Sequence, residues 1–118
     1  MKKLIRSLFS LSEHIRYVAI YDHGESTSLS KAGLAGTSSS ESDRYEELIV
    51  NPTLLKLVTQ RGIIDCGGIE FVIIRYGNFY QIVMPIGEGH ISICVEPHAD
   101  PLKLIEPIRN TLNDSKAK

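Results

Sequence analysis

Ile69–Glu96, IEFVIIRYGNFYQIVMPIGEGHISICVE, is the stretch that decides the fold. Two runs rich in β-branched and aromatic residues, Ile69–Tyr76 and Phe79–Ile86, flank Gly77-Asn78, a two-residue hairpin signal. Ile86 and His90 then flank Gly87-Glu88-Gly89, which reads as a three-residue turn into a further run, Ile91–Glu96. Three antiparallel strands in meander order follow from this reading, and Pro97 ends the third. Downstream, Asp100 suits a helix N-cap and Pro101 the first helical position. Leu102, Ile105, Ile108 and Leu112 then form the apolar stripe of a last helix, which Pro107 is expected to bend.

Upstream of the meander, Gly62, Gly67 and Gly68 carry the chain out of a long helix. A serine cap near Ser39, with Glu41 and Asp43 in the first turn, opens that helix. Tyr45, Leu48, Ile49, Leu55 and Val58 fall on one stripe up to about Arg61, and Pro52 is expected to kink the helix, because the stripe resumes in phase. Before it come a loop over Gly33–Ser40 and a weak strand over Ser26–Ala32. Ile15–Tyr21 is a strong strand that runs into a tight turn at Asp22-His23-Gly24. Leu4, Ile5, Leu8 and Leu11 place a short amphipathic helix over residues 2–13. The order is α-β-β-α-β-β-β-α, an α+β domain with a five-stranded antiparallel sheet. Tyr17–Ile20, Phe71–Ile74 and Ile82–Ile86 read as apolar on both faces, so helices should cover both. One domain over 1–114, with a disordered tail over 115–118, accounts for the chain.

Composition narrows the function classes. The chain has 118 residues, 42% hydrophobic and 23% charged, which is ordinary for one globular core. Its formal net charge of -1 and dispersed basic residues argue against nucleic-acid binding, which needs clustered Lys and Arg. Cys66 and Cys94 are too few and too far apart for a disulfide framework, so two free thiols in a reducing cytoplasm are expected. The opening MKKLIRSLFSLSEH is broken by Arg6, Glu13 and His14 and shows no cleavage site, and no apolar run is long enough to span a bilayer.

The strand IRYVAIYDHG, the weak second strand, the long helix, the meander and the final helix together resemble the roadblock family of dynein light chains and GTPase regulators. More closely, HIRYVAIYDHGE, the MPIGEG turn and ICVEPHADPLKLIEPI are similar to a group of small uncharacterised archaeal proteins with this fold. The resemblance covers about residues 4–112 and carries no shared catalytic set. It implies strand order 2-1-5-4-3, with the second and third strands at the edges. It also implies a homodimer joined edge to edge, and a surface near the paired long helices that docks a protein partner, often a small GTPase. The second strand is short, polar and carries Lys31, which suits an exposed edge. The third, Ile69–Arg75, is long and apolar with no proline, and an edge of that kind needs a cover. The expected dimer interface is therefore Ile69, Phe71, Val72 and Ile73, with Tyr45 and Ile49 of the long helix. The chain departs from the family pattern in the serine-rich stretch Thr37–Ser42 and in Pro52.

Candidate chemistry is sparse. In His90-x-Ser92-x-Cys94-x-Glu96-x-His98 the alternate residues of a strand share one face. Histidine, cysteine and glutamate ligate zinc, but the ends of this set lie too far apart to share one ion, and no metal or other cofactor is expected. A nucleophilic pair of Cys94 with His90 or His98, or of Cys66 with any histidine, would need a partly exposed, electropositive thiol. Cys94 sits between Ile93 and Val95, a setting for an inert one. Gly87-Glu88-Gly89-His90 and Cys66-Gly67-Gly68 lack the lysine and the following helix of a phosphate loop. The stretch 2–13 is read as packing on its own sheet rather than on a membrane.

The sequence thus points to a non-catalytic homodimeric interaction or regulatory module, binding a small GTPase or scaffolding a complex. A small-molecule sensor is the alternative, with Ala19, Gly33, Ala35 and Gly36 the residues that suggest a pocket. An enzyme built on Cys94 and a histidine is a third.

Overall fold

The computed structural model describes residues 2–31 and 40–116. The elements are helix α1 (Lys2–Phe9), strands β1 (Ile15–Asp22) and β2 (Glu25–Ser30), helix α2 (Ser40–Tyr45), a π-helical turn (Glu46–Val50) and helix α3 (Asn51–Asp65). Strands β3 (Val72–Arg75), β4 (Tyr80–Ile86) and β5 (Gly89–Val95) follow, then a 3-10 turn (Pro101–Leu104) and helix α4 (Ile105–Lys116). The strands form one antiparallel sheet in the order β2-β1-β5-β4-β3, the order that the family resemblance implies. Residues 33–39 of the expected loop, with the cap expected at Ser39, lie outside the described residues, as do Thr37, Ser38 and Ser39 of the Thr37–Ser42 stretch; Ser40 is already helical.

Side-chain alternation divides the sheet into two unlike faces. On one, Val18, Ile20, Ile82, Met84, Ile91, Ile93 and Val95 meet Ile5 and Leu8 of α1 and Ile105 and Ile108 of α4, forming the main apolar core. Ile5, Leu8, Val18, Ile93 and Ile108 are wholly buried there. The other face, expected to be apolar too, is mixed: beside Tyr17, Ala19, Val83 and Cys94 it buries Gln81, His90 and Ser92. One face supplies the hydrophobic stability of the domain. The other carries the buried polar side chains, and α2 and α3 lie over it.

Several boundaries differ from the sequence reading for identifiable reasons. Helix α1 stops at Phe9 rather than near residue 13, because the Ser12 hydroxyl accepts from the His14 N–H at 3.0 Å and turns the chain into β1. Leu11 still packs on the core from that turn. His23 and Gly24 both take positive φ (50° and 84°), so the β1–β2 hairpin closes on two residues, with Asp22 paired to Glu25. The β4–β5 turn is also two residues, Gly87-Glu88, and Gly89 belongs to β5, paired with Ile86. Gly89 is needed for another reason: a Cβ there would lie 1.8 Å from the Tyr21 carbonyl oxygen, so only glycine lets β5 cross β1 so closely.

Strand β3 is four residues long and begins at Val72, not Ile69. Its register pairs Val72 with Val83, which would set Glu70 opposite Pro85, a residue with no N–H to give to a ladder. Glu70 instead accepts from the Arg109 guanidinium of α4 at 2.7 Å, and Arg109 stands over the Phe71 ring at 6.0 Å. At the other end of the chain, the Asp100 carboxylate accepts from the Leu102 N–H at 3.0 Å, as an N-cap should. The 3-10 turn that follows leaves Pro107 in the first turn of α4, where its missing N–H costs little. The helix continues through Ser115 and Lys116, two of the residues expected in a tail.

Candidate functional site

The long helix organises the second face of the sheet, and Pro52 decides how. Proline has no N–H for the carbonyl four residues back, and its ring crowds that carbonyl. The chain accommodates it with a π turn: the Asn51 N–H bonds the Glu46 carbonyl, five residues back. A π turn takes in one residue more than an α turn, so the helix before it is rotated by about 100° relative to a regular continuation. The expected stripe of Tyr45, Leu48, Ile49, Leu55 and Val58 is broken by this rotation. Leu55 still points inward at 7% exposure, but Tyr45, Leu48 and Ile49 are 60%, 37% and 52% exposed. Glu47 and Asn51 take the inward positions, at 1% and 0%.

Glu47 is held by three donors. His90 Nε2 lies 2.8 Å and Asn51 Nδ2 3.1 Å from Glu47 Oε1, and the Tyr17 hydroxyl donates to Oε2 at 3.2 Å. The Tyr21 ring stacks on the His90 imidazole, 5.3 Å between centroids and 18° from parallel. A fully buried His90–Glu47 contact with further hydrogen bonds therefore joins the helix to β1 and β5. Alongside it, the Tyr76 hydroxyl donates to Glu46 Oε1 at 2.8 Å and ties the β3–β4 hairpin to the same helix. Burial, and then the Glu47 and Asp43 carboxylates, push the Tyr17 phenol far above its usual range; burial and Glu46 push Tyr76 up to about 12.

The helix and the sheet edge each carry a further surface feature. On the helix, Tyr45, Leu48 and Ile49 are joined by Leu57, Ile63 and Ile64, which are 62%, 71% and 74% exposed. At the sheet edge, β3 has a neighbour on one side only. Of the residues expected in a dimer interface, Tyr45 and Ile49 are exposed. Ile69 and Val72 are half-buried, and Phe71 and Ile73 are half-buried against the main core.

The alternating set His90, Ser92, Cys94, Glu96 and His98 is dispersed. His90 bonds Glu47, and Ser92 Oγ accepts from Gln81 Nε2 at 2.7 Å. Glu96 lies 3.6 Å from Arg16, and the His98 ring stands edge-on to His14 at 4.9 Å. Among the described residues no three of His, Cys, Asp and Glu are placed to hold a metal ion. The Cys94 thiol is pushed well above its usual range by burial and then by Glu47 and Glu46, so it stays protonated at neutral pH. Cys66 is exposed and donates to Asp65 Oδ1 at 3.3 Å. Sequence reasoning missed Glu47 and Asn51, and the signal that could have found them was the proline itself, which breaks helical phase.

A cavity of about 400 Å³ opens beside the cluster, between α2 with its π turn, the β3–β4 hairpin and the polar face of the sheet. Arg16, Tyr17, Glu46, Tyr76, Phe79 and Gln81 are among its walls. Ala19 does not line it, and Gly33, Ala35 and Gly36 lie outside the described residues.

This architecture is the roadblock fold. A Roadblock/LC7 domain from Streptomyces avermitilis superimposes with a TM-score of 0.75 at 13% identity, covering 99% of this chain and 95% of that one. MglC from Myxococcus xanthus does so with a TM-score of 0.59 at 12% identity, covering 98% and 96%. No family model matches the sequence, and no curated protein matches it.

Proposed function

We propose that this chain is a non-catalytic regulatory module that pairs with a second copy of itself and docks a protein partner. A small GTPase is the partner that the roadblock resemblance implies. The observation that carries the reading is the rotated first part of the long helix, which buries Glu47 and exposes Tyr45 and Ile49, on an element whose second part also exposes Leu57, Ile63 and Ile64. Exposed apolar residues grouped in this way mark an interaction surface. The β3 edge has the same need for cover, and a second copy can meet it about a two-fold axis. Ile69, Phe71, Val72, Ile73, Tyr45 and Ile49 are the contacts we assign to that pairing. The net charge of -1 speaks against a nucleic-acid partner, and two unpaired cysteines suit a reducing cytoplasm. No helix among the described residues is long and apolar enough to cross a membrane.

Light scattering after size exclusion tests the pairing, with twice the 13.1 kDa chain mass expected at micromolar concentration. Ile49→Asp changes an exposed residue, so it should leave the fold intact, within about 0.5 kcal/mol, and give the single-chain mass. A wild-type monomer that stays soluble would refute the pairing. Capture of a GTPase by the wild type, lost in Ile49→Asp, would support the partner class, and capture that is indifferent to nucleotide would favour a scaffold over a regulator.

A further inference from the structure

We propose that the cavity between the π turn and the β3–β4 hairpin binds a compact organic cation, an amidinium or aryl-ammonium, whose N–H groups face Gln81 and Glu46. The inference is independent of self-pairing. At about 400 Å³ the cavity falls within the range of about 300–1,000 Å³ that small-molecule sites occupy. Phe79, Tyr76 and Tyr17 supply aromatic surface, and the rings of Tyr76 and Phe79 lie 5.3 Å apart. Such surface receives the apolar body of a ligand; the Arg16 guanidinium already stands over the Phe79 ring at 5.5 Å, so contact between a ligand cation and a ring face falls to Tyr76 or Tyr17.

The polar groups select the sign of the charge. Asp43, Glu46, Glu47 and Arg16 are the charged residues lining the cavity; Glu47 is already met by His90, Asn51 and Tyr17, so Glu46 is the carboxylate on which the reading rests. Arg16 is the extra residue at the irregularity in the β1–β5 ladder, and its guanidinium is already engaged: it donates to the Asn78 carbonyl at 3.1 Å and faces Glu96 at 3.6 Å. An anionic ligand would therefore meet net repulsion. Gln81 is 1% exposed, donates through Nε2 to Ser92, and has no partner for its Oε1. A buried acceptor left in that state is costly, and a ligand N–H satisfies it. Burial raises the Glu46 carboxyl despite its bonds to Tyr76 and Gln81, so a cation at this site would also compensate a desolvated carboxylate. A neutral apolar molecule would fill the volume but leave Gln81 unpaired.

Benzamidine is a suitable probe, with benzamide as its neutral isostere and benzoate as its anionic one. Titrated into uniformly 15N-labelled full-length protein, benzamidine should shift the amide resonances of Tyr76, Phe79 and Gln81, while benzamide and benzoate at equal concentration should not. Glu46→Gln keeps the shape and an acceptor for Tyr76 but removes the charge, and should weaken benzamidine by about ten-fold. Gln81→Leu is the second variant, should Glu46→Gln fail to fold, and is expected to weaken it similarly. Equal shifts with benzamide, or no shift at these three residues with benzamidine at about 10 mM, would overturn the proposal.

Discussion

Replacing Glu47 by alanine removes the acceptor shared by His90, Asn51 and Tyr17, all of them buried. Each buried donor left unsatisfied costs about 1–3 kcal/mol, and Glu47→Ala leaves His90, Asn51 and Tyr17 without their acceptor. These terms overlap, because the freed donors can rearrange and water can enter. We therefore expect Glu47→Ala to lose about 4 kcal/mol, a large share of the roughly 5–15 kcal/mol that holds a domain of this size. Urea unfolding followed by circular dichroism measures it directly. Glu47→Gln retains an acceptor for two of the donors and should lose about half as much. The double variant Glu47→Leu with His90→Leu removes both polar partners and fills their volume, so it should be more stable than Glu47→Ala, and the cycle should show strong coupling. A loss below about 1 kcal/mol for Glu47→Ala would refute the buried network.

Other predictions follow from the same cluster. The raised Glu46 carboxyl means that folding favours its protonated form, so its contribution to stability is present below the unfolded value and is lost as pH rises through the folded one. Glu46→Gln should accordingly raise the urea midpoint at pH 7 and leave it nearly unchanged at pH 4; equal effects at both would contradict this. In the native protein at neutral pH, iodoacetamide should label Cys66 and spare Cys94, which should react only in denaturant. Peptide mapping that found Cys94 labelled natively would overturn that reading, and Cys94→Ala should cost about 1 kcal/mol.

The sheet was legible because its signals are local. Gly77-Asn78 and the Gly87 turn sit between β-branched runs, so the hairpins β3–β4 and β4–β5 declare themselves locally, whereas the β1–β5 pairing came only with the family resemblance. The main core was legible for the same reason: Ile5, Leu8, Ile105 and Ile108 repeat at helical spacing. The polar face was not. His90 and Glu47 are far apart in sequence, and no spacing rule connects them. The stripe of Tyr45, Leu48 and Ile49 pointed the wrong way because its reading assumed an even 3.6-residue period across Pro52. The short β3 was concealed in its partner strand, where Pro85 withholds an N–H that the composition of Ile69–Arg75 gives no reason to miss.

The π turn also makes this helix a matter of length as well as composition. Two α turns take about seven residues, but eight separate Glu47 from Leu55, and both point inward. Pro52→Ala alone would remove the reason for the odd turn yet leave the surplus residue. The helix would then face a choice between regular hydrogen bonds, which bring Leu48 inward, and the seat of Glu47 beside His90. Deleting Val50 together with Pro52→Ala removes the surplus and lets a regular helix keep Glu47 in place. Two changes that straighten the same helix would thus turn faces about 100° apart to the solvent, and the presence of one codon decides whether Glu47 or Leu48 looks inward.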